Sequence, residues 1–244
     1  MAKLFFDHLV LAVPNLKEAI EFFQENLGVT PMMGGRHVNL GTHNALLGLG
    51  SPSDNAYLEL LAIDPEDTRS YKAYSMGLTK DLKESYVASW CLRCDSEDLE
   101  FEKINETLRN FGKDYDHGPI NKMQRLTPAG EILSWQIAIS REQVIQSKGL
   151  APFLIKWDRF SDHPTTRISK DNFLDYGLKF SGDSSQALEN NLQRIGFIKP
   201  AQITFTSPSP SNINTSNLAI YFKLNVRGSG RELLFEGKDK NNVG

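Results

Sequence analysis

His8 and Glu59 are the two side chains whose types and setting point to joint chemistry. His8 lies in Asp7-His8-Leu9-Val10-Leu11-Ala12-Val13 and Glu59 in Tyr57-Leu58-Glu59-Leu60-Leu61-Ala62, both largely apolar, strand-like runs. A strand alternates its side chains between faces. Leu9, Leu11 and Val13 therefore share one side of the first run, and Phe6, His8 and Val10 the other. In the second run Leu58 and Leu60 oppose Tyr57, Glu59 and Leu61. Where the two polar-bearing faces meet, a neutral imidazole joins a carboxylate, and both ligate first-row metals. The same residues also read as a satisfied strand histidine and an unrelated surface glutamate.

Three helices punctuate the chain, each ending on glycine, the residue that takes the left-handed conformation past a helix end without penalty. The first has Asn15 as N-cap with Glu18 three residues on, and carries Leu16, Ala19, Ile20, Phe23 and Leu27 on one stripe before Gly28. The second starts at Asp95 or Ser96, carries Leu99, Ile104, Leu108 and Phe111, and stops at Gly112. The third starts at Asp183, carries Leu188, Leu192 and Ile195, and stops at Gly196. The three glycines are spaced at equal intervals of 84 residues. A strand precedes each helix and strand-like runs follow it, so the repeating unit is β-α-β-β-β. This predicts an α+β fold of curled, mostly antiparallel sheet.

Composition sets the outer bounds. The chain has 244 residues, 40% hydrophobic and 23% charged, with a net charge of −3, which is ordinary for a globular protein. Lysines and arginines are scattered rather than striped, so no nucleic-acid partner is expected. No apolar run approaches the ~18 residues of a membrane span, and the N-terminus lacks the pattern of a signal peptide. A cytoplasmic protein without a membrane partner is expected. Cys91 and Cys94 form a C-x-x-C with no second pair. On a strand they point to opposite faces, which makes them free thiols rather than a zinc or redox site.

Several motifs in order give the chain a family likeness: Asp7-His8-Leu9-Val10, Leu27-Gly28-Val29, Gly34-Gly35-Arg36-His37, Gly41-Thr42-His43-Asn44 and Tyr57-Leu58-Glu59-Leu60. With these the chain resembles the vicinal-oxygen-chelate superfamily, more narrowly its glyoxalase-like group. The resemblance implies repeated β-α-β-β-β modules forming a cupped, mostly antiparallel sheet, with metal ligands on the first and last strands of each module. His8 and Glu59 match the first module's two positions. Their counterparts are Ser89 and Trp135 in the second module, and Tyr176 and Glu232 in the third, so the four-ligand site of glyoxalase I is not repeated here.

The modules are placed at residues 1–66, 84–141 and 172–237, the last divergent. Residues 142–171 are read as an insertion covering the cup, and 238–244 as a disordered tail. Modules one and two should pair, leaving the third to cover itself or to form a homodimer. Trp157 and His163, from the insertion, should reach the cup around His8. The leading functional reading is a small-molecule enzyme of lyase, isomerase or dioxygenase type. A divalent metal (zinc, manganese, iron or nickel), held by His8, Glu59 and His163, would polarise adjacent substrate oxygens. Glu59 and His37 are the candidate catalytic residues. Tyr57, Asn44, Trp90, Trp135 and Trp157 are candidates for substrate contact. The other reading is a metal-free protein that binds or sequesters a small molecule, with the aromatic residues as stacking surfaces. His117 reads as part of a turn.

Overall fold

Helix α1 (Leu16–Leu27) forms as its punctuation dictates. The Asn15 side chain accepts from the backbone N–H groups of Lys17 and Glu18, and Gly28 closes the helix at φ 73° with its N–H on the Gln24 carbonyl. The computed structural model describes residues 3–37, 40–69, 74–127, 129–207 and 219–237. The tail expected at 238–244 lies outside them.

In the first half of the chain, β1 (Leu4–Ala12) is followed by α1, β2 (Met32–His37), β3 (Thr42–Leu49) and β4 (Ala56–Ile63). The second half has β5 (Tyr86–Cys94), α2 (Asp98–Arg109), β6 (Asn121–Leu126), β7 (Ile132–Ala138), the short α3 (Arg141–Ser147) and β8 (Phe153–Trp157). In each half the last strand lies parallel to the first: β4 on β1, and β8 on β5. An antiparallel β1–β5 ladder joins the halves, running from Leu4↔Cys94 to Ala12↔Tyr86. The halves are therefore copies of one module, β-α-β-β-β, related by a pseudo-two-fold axis through that ladder.

This corrects the expected boundaries. Residues 142–171 are not wholly an insertion, because β8 completes the second module, and only the loop after it covers the cup. The expected counterpart of Glu59 changes with it. Trp135 lies on β7, the equivalent of β3, and not on the module's last strand.

The third unit comprises β9 (Phe173–Ser181), α4 (Ser185–Arg194), β10 (Phe197–Ile198), β11 (Ile203–Thr206), β12 (Ala219–Asn225) and β13 (Glu232–Glu236). It carries one strand more than the expected β-α-β-β-β, the short β10, and its pairing differs. The strand beside β9 in parallel is β11, while β12 runs antiparallel on the other edge. It joins the first module through β3–β9 and β1–β10. Its inner face is buried within the chain: Phe180 and Phe222 are fully buried, Phe180 lies 4.9 Å from Trp90, and Phe235 stacks on Phe23 at 6.0 Å. Each buried phenylalanine contributes roughly 1.5–3 kcal/mol, so this unit needs no second copy to cover it.

The sheet thus has two apolar faces. The helix side holds Leu9, Leu11, Leu58, Leu60, Trp90 and Leu92 with the third unit. The cupped side holds Val10, Ala12, Leu61, Cys91, Trp135 and Phe153. Cys91 and Cys94 are both buried and free, on opposite faces as expected.

Gly48 lets β9 approach β3. A Cβ built there would come 2.3 Å from the Phe173 ring, whereas one at Gly177 meets nothing within 4 Å. Gly48→Val should cost about 2–3 kcal/mol by overpacking, and Gly177→Ala should be neutral or slightly stabilising. Urea unfolding of the two variants checks the docking of the third unit.

Candidate functional site

The site originates in a defect of the central ladder. Two bulges interrupt β1–β5. Asp7 is left without an opposite residue between Phe6↔Leu92 and His8↔Cys91, and Ala88 between Val10↔Ser89 and Leu11↔Val87. A bulge places an extra residue on one strand and re-aims its side chains. Phe6 accordingly joins the helix-side core, stacked 5.6 Å from Tyr176, and not the His8 face that strict alternation predicts. Asp7 becomes a neighbour of His8 in the buried cluster that also holds Cys91.

Asp7 is fully buried and takes donors from four directions. Its Oδ1 lies 2.6 Å from His8 Nδ1. Its Oδ2 receives Trp157 Nε1 at 3.1 Å, His163 Nε2 at 3.1 Å and Arg93 Nη1 at 3.3 Å. Burial alone would raise the Asp7 pKa, but His163 and His8 outweigh it and hold the carboxyl well below the usual range. Arg93 is itself tied to Asp95 at 2.8 Å and to the Asn55 carbonyl at 3.0 Å.

With Nδ1 on Asp7, the His8 ring is fixed between Tyr57, stacked at 4.6 Å, and the edge of Phe153 at 5.3 Å. Its Nε2 lies 3.7 Å from Glu59 Oε2. The other Glu59 oxygen accepts from Asn44 Nδ2 at 2.6 Å. Gly34 allows that arrangement, since a Cβ there would come 2.2 Å from Asn44 Oδ1. His8, Glu59, Asn44, Tyr57 and His37 open onto a cavity of about 360 Å³ whose remaining wall is mostly apolar, including Leu61, Met123, Trp135, Ile137, Phe153 and Trp157. His37 Nδ1 sits 3.0 Å from Thr42 Oγ1, and burial lowers its pKa.

The structure thus brings together His8, Glu59, Asn44, Tyr57, His37, Trp135 and Trp157. Trp90 is a correction: it points to the other face of β5, is fully buried in the helix-side core and donates to the Leu150 carbonyl. His163 is another. Its Nδ1 lies 2.7 Å from Thr165 Oγ1 and its Nε2 3.1 Å from Asp7 Oδ2. With both nitrogens engaged, it positions Asp7 rather than offering a lone pair to a metal. Sequence reasoning missed Asp7, Arg93 and Arg125. For Asp7 the available signal was two consecutive polar residues in an apolar strand.

A metal fits these donors poorly. Asp7, His8 and Cys91 cluster closely enough to hold one, but the Asp7 oxygens already accept four hydrogen bonds. Cys91 resists losing its proton, pushed up by burial and then by Asp7 and Glu59. His8 Nε2 and Glu59 make a second candidate pair. The paired bulges equate Asp7-His8 with Ala88-Ser89. Glu59 sits opposite Val10 and Phe153 opposite Cys91, so Phe153 occupies Glu59's position in the second module. Catalytic metal sites usually keep three protein ligands, and this pair is one short among the described residues.

A glyoxalase-like domain family model matches residues 6–197. No curated protein matches the sequence significantly. Solved structures that resemble the chain include methylmalonyl-CoA epimerase from Mycobacterium tuberculosis, 18% identical over 63% of this chain and 86% of that one, with a TM-score of 0.35. A Streptomyces coelicolor methylmalonyl-CoA epimerase variant in complex with 2-nitronate-propionyl-CoA is 17% identical over 64% and 97%, at 0.39. A hypothetical protein from Bacillus halodurans is 14% identical over 65% and 96%, at 0.36.

Two pH-dependent outcomes follow from these environments. Because folding depresses the Asp7 pKa, its stabilisation is complete above the ordinary aspartate range and is lost as pH falls below about 4. Asp7→Asn should cost about 3 kcal/mol at neutral pH, with the gap to the parent narrowing below pH 4. His117, which lies away from the site, is 1% exposed, and burial pushes it down to about 4. The unfolded chain protonates it first, so stability should fall from about pH 6.5 to 4, by at most about 3 kcal/mol. His117→Leu should flatten that slope in denaturation curves taken across the range.

Proposed function

We propose that this chain, which belongs to the glyoxalase-like domain family, is a small-molecule enzyme that moves a proton on a carbon acid, with Glu59 and His8 as its acid–base pair. One observation carries the reading. Buried Asp7 fixes His8 Nδ1, so that Nε2 faces Glu59 Oε2 at 3.7 Å on the floor of an otherwise largely apolar cavity. Glu59, aimed by Asn44, takes a proton from the carbon next to a carbonyl. The C–H bond breaks, its electron pair becomes the enolate π bond as the carbonyl π pair moves onto oxygen, and the imidazolium form of His8, with Nδ1–H on Asp7, offers Nε2–H to the charge that develops there. Returning the proton to a conjugated carbon gives isomerisation, and expelling a group from the β carbon gives a lyase.

The donor set supports this proton-transfer chemistry better than dioxygenase chemistry, which would need a redox metal in place. A divalent metal bound by His8 and Glu59 would supply Lewis acidity to the same oxygens, and zinc, manganese, iron or nickel would each be held by only these two side chains. A metal-free binding protein is the second reading, favoured by Trp135 and Trp157, 5.6 Å apart in the cavity wall. The buried free thiols suit a reducing compartment such as the cytoplasm. No helix among the described residues is long and apolar enough to cross a membrane.

Proton exchange tests the reading directly. The protein, freed of metal by chelation, is incubated in D₂O with small 1,2- and 1,3-dicarbonyl and α-hydroxycarbonyl compounds, and C–H loss is followed by NMR. Enzyme-dependent exchange is expected for at least one compound, falling by about 10²–10⁴ in Glu59→Gln. Binding without exchange would turn the assignment to the binding protein. Exchange that appears only after zinc or manganese is restored, together with a rise in Tm of several degrees that His8→Ala abolishes, would establish the metal instead.

A further inference from the structure

Arg125, on β6, stands apart from the other buried charges. It is 8% exposed, yet it has no hydrogen bond and no ion pair among the described residues, and its Nη1 is enclosed without a partner. Arg93, the other buried arginine among the described residues, is matched with Asp7 and Asp95, and the partly exposed Arg36 and Arg167 are matched with Asp64, Glu66 and Glu131. Burial lowers the Arg125 pKa, with Tyr57 and Glu59 opposing that shift and Arg167 adding to it. A guanidinium does not lose its proton in proteins. The charge therefore stays, and an unpaired buried charge is among the costliest features a fold can carry.

The position of Arg125 indicates what completes it. It lines the cavity that holds His8, Glu59 and Asn44, and also a second, apolar cavity of about 300 Å³ behind Gly34 and Leu46. We infer that Arg125 is the anchor for a carboxylate on the substrate, so that the proposed enzyme acts on small carboxylic acids whose reacting carbon lies beside Glu59. The planar fork of guanidinium N–H groups matches a planar carboxylate with two parallel hydrogen bonds, and the apolar walls take the rest of an acid of modest size. The arrangement also separates the two negative charges, with the substrate's carboxylate at Arg125 and the base at Glu59. This inference rests on the acid–base reading for the identity of the reacting carbon, but not for the binding itself.

Binding can be measured without turnover. Phenylacetate, hexanoate and methylmalonate are titrated against the whole chain by ligand-observed NMR, each beside its primary amide, with phenylphosphonate as the tetrahedral anion. At least one acid should bind ten-fold or more tighter than its amide and than the phosphonate. Arg125→Met should abolish that preference with its Tm unchanged or raised, because an unpaired buried charge has been removed; a merely structural arginine would instead lower the Tm. Arg125→Lys should restore part of the preference. Glu59→Gln should keep it, so that failure of the acid–base chemistry and failure of the anchor are distinguished. Acids and amides behaving alike, whether both bind or neither does, would overturn the inference, as would an acid preference that survives Arg125→Met. A preference for the phosphonate would overturn the choice of carboxylate.

Discussion

The carboxylate of Asp7 is the constraint around which the rest of the site is built. Removing an ionised group from water costs several kcal/mol even after the protein relaxes, and the fold offsets that cost with donors from four segments. His8 comes from the same strand, Arg93 from the first strand of the other module, Trp157 from that module's last strand, and His163 from the loop that follows. One ion thereby fastens both halves of the cup and its cover. It also sets the rotation of the His8 ring and one wall of the cavity, since Trp157 both donates to Asp7 and lines the space in front of His8.

The cavity concentrates its polarity in few groups. Most of its lining is aliphatic or aromatic, and three of its polar side chains are held by partners: His8 by Asp7, Glu59 by Asn44 and His37 by Thr42, while Arg125 has none among the described residues. A pocket of this composition fixes orientation with a handful of polar contacts and derives its holding power from excluded water. Because these three are already held in place, their geometry exists before any ligand arrives, and reorganisation there costs little.

Much of the fold could be read from the chain because it is written in local chemistry. Asn15 and Gly28 bracket a helix through hydrogen bonds that involve only their neighbours, and the runs at Ile203–Thr206 and Phe173–Ser181 declare themselves by apolar patterning. Alternation lets only one of His43 and Asn44 face the cup, and the β3–β4 register with Glu59 selects Asn44. What remained illegible depends on partners far along the chain. The bulge at Asp7 is a property of register between β1 and β5, so alternation sent Phe6 to the wrong face. The membership of β8 in the second module is decided by its pairing with β5 and β7, and the intervening helix α3 disguised it as an insertion. His163 read as a ligand because it lies in an aromatic segment able to cover the cup, and only the loop's closure onto Thr165 and Asp7 shows that both of its nitrogens are engaged.

The two bulges of the central ladder occupy equivalent places in the two modules, yet one exposes Asp7-His8 to the cup and the other Ala88-Ser89. A duplicated scaffold has in this way become chemically handed. Its backbone keeps the pseudo-two-fold axis, while Phe153 answers Glu59 across it with a hydrocarbon ring. On the acid–base reading, a molecule between these two positions has Glu59 on one side and the Phe153 ring on the other, so a proton that Glu59 takes from one face of a planar intermediate returns to that face. Transfer within one face, with the label carried along, is the stereochemical signature that this reading attaches to the broken symmetry.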